Sequence, residues 1–443
     1  MVRADIATIV AQRLWQAGSG LVTMVLVAHF LTPVQQGWYY SFLSLAAFYT
    51  LFDLGLSVVL VQLAAHLFVA IRWRPGGRGQ VESRLEGDAA THQFHALTGR
   101  SARLYVVLAL AFLLLLLPGG WLFFSLHGNV STLPAGQWLP AWALLIVATA
   151  AGILALPFLA LVEGSGQIGE VYGVRLAQGV VGAFGCWAVL STGGGLWAPA
   201  MTPAFGVLVA VAWLLLRRPK LIRAAHTYSG HELNWRHEIW PLQWRIGLSW
   251  LSGYLLTQIY TPILFHSQGA VVAGQMGLSL TLANMLGLLA QSWIARRVPA
   301  MAQAANRRDW PLLDRLFKHD FTASALAFLA GALVLCGLRA VLAYTPYTIR
   351  VLPFWPFTGL LMVAFLININ GTLAAQLRSF RREPLVWVAV GGAVLSVPGA
   401  LWAAGHYSAD GVVAVMLAVQ LLFILPWSVI LWRRRNREWR MTF

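Results

Sequence analysis

Residues 13–30 read RLWQAGSGLVTMVLVAHF, residues 31–37 LTPVQQG, and residues 38–62 WYYSFLSLAAFYTLFDLGLSVVLVQ. The stretch is an apolar hairpin with a single arginine, Arg13, and a single aspartate, Asp53, inside its two long runs. A helix needs roughly 20 apolar residues to cross about 30 Å of hydrocarbon, and each arm has that length. The runs are continuous rather than alternating with period 2, so the spanning element is a helix and not a barrel strand. An ionisable group at bilayer depth costs on the order of 3 kcal/mol on insertion scales, so Arg13 and Asp53 each ask for a partner or a hydrated space.

The rest of the chain follows this pattern. It has 443 residues, 59% hydrophobic and 10% charged, with mean hydropathy +0.69; soluble domains carry about 25% charged residues. Apolar runs bounded by charge, Pro or Gly predict twelve helices, at about 9–31, 38–69, 104–126, 139–162, 174–191, 197–216, 244–266, 271–295, 321–343, 353–377, 384–404 and 411–432. The fold class expected is an all-α polytopic membrane protein: two six-helix lobes related by a pseudo-two-fold along the membrane normal, around a central cavity. The lobes expected are 1–216 and 244–432, with a cytoplasmic linker at 217–243 and a basic cytoplasmic tail at 433–443.

The net charge of +16 lies mainly between alternate apolar runs. That is the positive-inside pattern, which suits anionic lipid headgroups rather than nucleic acid. Segments 70–103, 163–173, 217–243, 296–320 and 378–383 are then cytoplasmic, as are both termini, and the long ones read as amphipathic or loose surface segments. External loops are short, so chemistry belongs to the helical bundle. The start of the chain has no small-residue cleavage site, and its first helix reads as a retained signal anchor. Cys186 and Cys336 lie in apolar runs with no metal ligands beside them.

The halves share a pattern. Gln12-Arg13, Ser19-Gly20, Thr23 and Phe30 recur in order as Gln243-Trp244-Arg245, Ser252-Gly253, Thr257 and Phe265. Each is followed by an expected tight external turn with Gly37 or Gly274 and then a Ser-Leu pair, Ser44-Leu45 or Ser279-Leu280. Duplicated helical units of this kind are a transporter signature.

Arg13 and Arg245, in matching places, have two readings. They face a cavity and grip a phosphate or pyrophosphate through paired hydrogen bonds, or they snorkel to the interface. Asp53 pairs with Arg13 or exchanges a proton during transport; the plainer reading is a hydrogen bond to a neighbouring helix while Gly55 lets backbones approach. Among the intramembrane amides, Gln16, Gln258, Asn284 and Asn368 are candidate cavity-lining groups for sugar hydroxyls, against the alternative of interhelical bonds. Trp15, Trp250, Trp293 and Tyr254 are candidate sugar-stacking rings. Pro118, Pro157, Pro203, Pro262, Pro398 and Pro426 are candidate hinges, with ordinary kinks the alternative.

The run HFLTPVQQGWYYSFLSLAAFYTLFDLGLSVVLVQLAAH at 29–66, with Gly37 before Trp38-Tyr39 and the element Asp53-Leu54-Gly55-Leu56, resembles the opening of the polysaccharide-transport proteins. These are the O-antigen flippase group of the multidrug/oligosaccharidyl-lipid/polysaccharide exporter superfamily. LVEGSGQIGEVYGVRLAQ at 161–178, the segment 273–316 and NGTLAAQLRSFRREP at 370–384 fit as well. The chain departs from the family at Gln258, where an acid is often found, and at Gln275-Met276, where an aromatic is more usual; both bear on coupling-ion chemistry.

The resemblance implies translocation of an undecaprenyl-diphosphate-linked oligosaccharide from the cytoplasmic to the periplasmic leaflet of a bacterial inner membrane by alternating access, for surface-polysaccharide assembly. The expected partners are that lipid-linked oligosaccharide, membrane lipids and a coupling proton or sodium ion, with no cofactor, no metal and no catalytic residue. A monomer is expected, with association to polymerase or biosynthesis proteins an option. The rival readings are a small-molecule exporter of the same superfamily, which calls for a cation-binding carboxylate cluster beyond Asp53 and Glu163, and a membrane glycosyltransferase, ligase or polymerase. The latter calls for acids or histidines in a sizeable external loop, where only His127, His406 and Asp410 stand.

Overall fold

The computed structural model describes residues 2–53, 55–68, 72–75, 81–84, 88–126, 133–226, 240–380 and 384–442. Among the described residues, each of the twelve predicted stretches lies mainly in helix. In the first half the helices are α1 Val2–Phe30, α2 Pro33–Ala46, α3 Tyr49–Asp53, α4 Leu56–Leu67, α5 Asp88–Leu126, α6 Ala135–Gly164, α7 Ile168–Ser191, α8 Ala198–Arg217 and the short α9 Pro219–His226. The second half holds α10 Trp240–Thr257, α11 Tyr260–Gln268, α12 Ala270–Ala295, α13 Val298–Asn306, α14 Trp310–Leu342, α15 Phe354–Arg378, α16 Val386–Val419 and α17 Leu425–Thr442. Among the described residues, 9 helices are long and apolar enough to cross a membrane. The last of these runs 56 residues, from Val386 to Met441, more than twice the roughly 20 one crossing needs. It is broken at Ser408, where φ is 55° and ψ −144°.

The chain divides into two compact units, Met1–Gln35 with Phe42–Leu251, and Gln36–Ser41 with Ser252–Phe443. In the first, α1 packs on α7, α4 and α5 on α6, and α8 on both α6 and α7. In the second, α11 packs on α16, α12 and α14 on α15, and α17 on α15. Counting crossings, both units pair first with fifth, second and third with fourth, and fourth with sixth. The repeated sequence pattern thus accompanies a repeated order of neighbours. The division falls inside α10 rather than ahead of it, and six residues of α2 cluster with the second unit.

Several segments are more ordered than hydropathy implies. The stretch 32–37 is no external turn: Thr32 caps α2, accepting the Gln35 amide at 3.2 Å while the Gln35 side chain accepts the Thr32 amide at 3.0 Å. Pro33 stands at the first helical position, where its missing N–H costs nothing. Gly37 and Gly274 both lie within helices, not turns. Segment 70–103 includes an antiparallel ribbon, Arg72–Pro75 with Val81–Arg84, and the first turns of α5. The tail at 433–443 continues α17, with Trp439 buried in a cluster that includes Met301, Leu313, Phe317, Leu377 and Phe380.

The prolines are not where the helices break. Pro118, Pro157, Pro203 and Pro398 sit inside continuous helices, as does Pro262 within α11. Pro426 follows a π-helical turn at Gln420–Ile424, which absorbs its missing donor. Interruptions fall instead near Gly55, between Thr257 and Tyr260, at Arg296-Arg297 and at Ser408.

Candidate functional site

The Asp-Leu-Gly-Leu element is a built helix break. Asp53 ends α3, and Gly55, at φ 69°, begins α4; only glycine holds that left-handed backbone without strain. Asp53 is 4% exposed. One carboxylate oxygen accepts the Ser57 amide at 3.3 Å and the Tyr105 hydroxyl of α5 at 2.5 Å; the other accepts the Ser57 hydroxyl at 2.7 Å. The acid therefore caps the first turn of α4, where a negative charge suits the helix dipole, and ties the break to α5. It makes no bond to Arg13. Leu54 lies outside the described residues.

The other expected residues divide. Arg13 and Gln16 are exposed on α1, and among the described residues neither side chain has a partner. Trp15 faces the other way, packed on Phe184, Trp187 and Gly179 of α7. At about 100° per residue Arg13 stands roughly 160° around α1 from Trp15. Arg245 falls in the first turns of α10, and its side chain lies outside the described residues. Gln258 is half-buried at the break between α10 and α11. Asn284 is exposed on α12.

Asn368 does not line an open surface. It is 1% exposed and donates to the Ser324 hydroxyl of α14 at 3.1 Å. Most of the remaining amides also join helices. Gln178 donates to the Gly206 carbonyl at 2.9 Å, Gln275 to the Ile349 carbonyl at 3.1 Å and Asn370 to the Gln420 side chain at 3.4 Å. Gln376 accepts from the Trp432 indole at 2.7 Å. Of the candidate stacking rings, Tyr254 is buried and Trp250 and Trp293 are exposed.

Three groups were not singled out by hydropathy. Tyr105 is one; a lone tyrosine in a leucine-rich run needs a hydroxyl partner, and that need was the available signal. Glu170 of α7 forms a two-pronged pair with Arg218 and accepts the Trp213 indole at 2.7 Å. Asp320, placed by hydropathy in a loop, is fully buried in α14 beside Arg296, Arg297 and His319. Outside the apolar spans, burial holds the Arg350 guanidinium below its ordinary value, against an opposing pull from Tyr347. Its backbone carbonyl accepts the Gln36 side chain at 2.8 Å, and Gln36 also donates to the Gly274 carbonyl at 3.0 Å. Among the described residues no three His, Cys, Asp or Glu side chains gather as a metal site.

No family model matches this chain, and no curated protein sequence matches it. Solved structures do. An inward-facing multidrug resistance MATE family transporter of the MOP superfamily aligns over 98% of both chains, at 12% identity and TM-score 0.69. The lipid II flippase MurJ, in an inward closed conformation, aligns over 97% of this chain and 87% of its own, at 11% identity and TM-score 0.61. A MOP superfamily transporter from Pyrococcus furiosus aligns over 98% and 96%, at 12% identity and TM-score 0.54. At these identities the likeness establishes the architecture: the chain has the all-α, multi-pass, two-lobed fold of membrane transporters of the MOP superfamily.

Proposed function

We propose that this protein translocates an undecaprenyl-diphosphate-linked oligosaccharide from the cytoplasmic to the periplasmic leaflet, by alternating access and without catalysing a reaction. The fold is shared with transporters and with a lipid flippase. One observation carries the choice of an anionic substrate. Four carboxylates are engaged: Asp53 by Ser57 and Tyr105, Glu163 by Arg175 at 2.9 Å, Glu170 by Arg218 and Asp320 by two arginines. Arg13, by contrast, is exposed and has no partner among the described residues. A guanidinium held in an apolar helix with its donors open suits a phosphate or diphosphate.

Small-molecule export is the second reading, favoured by the likeness to multidrug transporters. It calls for an acid open to a cation, and the bonds at Asp53 and Glu163 weigh against it. The experiment that separates them is deletion of the gene followed by measurement of which leaflet holds the lipid-linked glycan. The expected result is accumulation on the cytoplasmic face, reversed by the wild-type gene and not by Arg13→Ala. An unchanged transbilayer distribution overturns the proposal.

A further inference from the structure

The break between α12 and α13 places two arginines in succession, Arg296 ending one helix and Arg297 opening the next. Both lean toward Asp320 of α14, with Arg296 Nη2 at 3.6 Å from one carboxylate oxygen and Arg297 Nε at 3.6 Å from the other. The acid is sealed and the bases are not: side-chain exposure is 0% for Asp320, 54% for Arg296 and 43% for Arg297. His319, 67% exposed, sits with Nδ1 at 3.0 Å from Asp320.

These distances matter. A charge-assisted N–H···O bond spans about 2.7–2.9 Å, so contacts at 3.6 Å are ion pairs and not hydrogen bonds. The second Asp320 oxygen is accordingly buried with no hydrogen-bond partner. An isolated buried carboxylate is costly, and its attraction fixes where the guanidiniums lie. Each guanidinium carries five N–H donors, and among the described residues neither Arg296 nor Arg297 spends one on a hydrogen bond. A carboxylate already flanked by two guanidiniums is no cation site. The local balance is two positive charges against one negative, with open donors facing outward. The first turn of α13 adds amides that no side chain caps, and a helix start favours anions.

We infer that Arg296 and Arg297, positioned by the buried Asp320, form a subsite for a phosphate or diphosphate group, separate from Arg13. Assigning that anion to a lipid headgroup rests on the translocation proposal; the subsite itself does not. Charge patterning puts this break on the cytoplasmic side, where a lipid-linked diphosphate is loaded, so the pair would receive the headgroup before it moves.

The test uses the purified full-length protein in detergent and measures binding of farnesyl diphosphate and of inorganic pyrophosphate. The double variant Arg296→Gln/Arg297→Gln is expected to bind both at least about tenfold more weakly, since one charge-assisted hydrogen bond is worth about that factor. Because this variant removes both cations beside the buried Asp320, its fold is checked as monodisperse elution. Arg296→Lys/Arg297→Lys, which keeps both charges but not the forked donors, is expected to weaken binding of both ligands as well; wild-type affinity in a folded lysine variant also overturns the inference. Farnesyl diphosphate bound more tightly than pyrophosphate assigns the site to lipid headgroups, whereas equal affinity assigns it to free anions; either supports the subsite. Asp320→Asn supplies a readout that bulk charge would move the other way. Removing a negative charge tightens anion binding if the arginines act as loose charges, and weakens it if the carboxylate positions them. Wild-type affinity in the arginine double variant, or tighter binding in Asp320→Asn, overturns the inference. These outcomes are read without transport, so they leave the leaflet experiment to judge translocation independently.

Discussion

Gly37→Ala is the substitution most sharply constrained by the packing of the second unit. A methyl carbon at Gly37 would lie 1.8 Å from the Ala270 carbonyl oxygen and 2.4 Å from its carbon. Carbon–oxygen contacts settle near 3.3 Å, so α2 must back away from α12 by about 1.5 Å. The obstacle is backbone and cannot rotate aside. That displacement also breaks the Gln36 side-chain bonds to Gly274 and Arg350, now 3.0 and 2.8 Å. Overpacking costs about 3 kcal/mol at the upper end of its usual range, and two lost hydrogen bonds add about 1 kcal/mol each. The intrinsic helix preference for Ala over Gly returns about 1 kcal/mol. The net penalty of about 4 kcal/mol corresponds to a fall of roughly 4 °C in unfolding temperature for a chain of this length. Thermal unfolding in detergent reads it, with Gly18→Ala and Gly253→Ala as controls because nothing lies within 4 Å of a methyl group at either. The controls should hold or gain stability. A Gly37→Ala protein that unfolds at the wild-type temperature refutes the close approach of α2 and α12.

Tyr105→Phe and Asp53→Asn should each destabilise the first unit, and their double-mutant cycle should show coupling of about 1.5–3 kcal/mol, as for a hydrogen bond to a charged group; additive effects would dissolve the bond between them. Transport retained by Asp53→Asn would leave the acid a cap and nothing more. Glu170→Gln removes the negative charge paired with Arg218, whose side chain is 1% exposed, and should cost about 3 kcal/mol. Glu438→Gln, in the pairs with Arg434 and Arg435, should change the unfolding temperature little, and equal effects would contradict the difference in burial. Trp439→Ala should cost about 3–5 kcal/mol by opening the cluster around Leu313 and Phe380. The 80% exposed Trp355 should tolerate the same change; an indifferent Trp439 would return the last eleven residues to a free tail.

What the sequence revealed follows from what hydropathy measures. Membrane helices are read from an apolar length, so the helical character of the apolar stretches was legible, while α5 and α14 begin at Asp88 and Trp310, well ahead of their apolar runs. Polar residues extend a helix past the apolar segment without leaving a hydropathy signal, which is why Asp320 read as a loop residue. The direction of the amides was not legible either. Where all faces of a helix are apolar, the 3.6-residue period cannot say which one meets a neighbour. Asn284 and Asn368 look alike in sequence, yet one is exposed and the other is sealed against Ser324. The break at Gly55 was not read: 38–69 stood as one helix with Asp53 in its middle, although an acid two residues before a glycine that accepts positive φ was the available signal.

The two units repeat their packing order but not their electrostatics. The buried acid of the first unit is satisfied by neutral donors, Ser57 and Tyr105, and cancels none of the charge on Arg13. That of the second is met by two guanidiniums at ion-pair distance. A duplicated scaffold with unlike charge placement fits a substrate that is itself uneven, with an anionic end and a neutral polar end. A small organic cation would need the opposite arrangement, with acids open and arginines bonded. The proposal of a lipid-linked oligosaccharide over a cationic drug therefore rests on this charge pattern and not on the fold, which both kinds of transporter share.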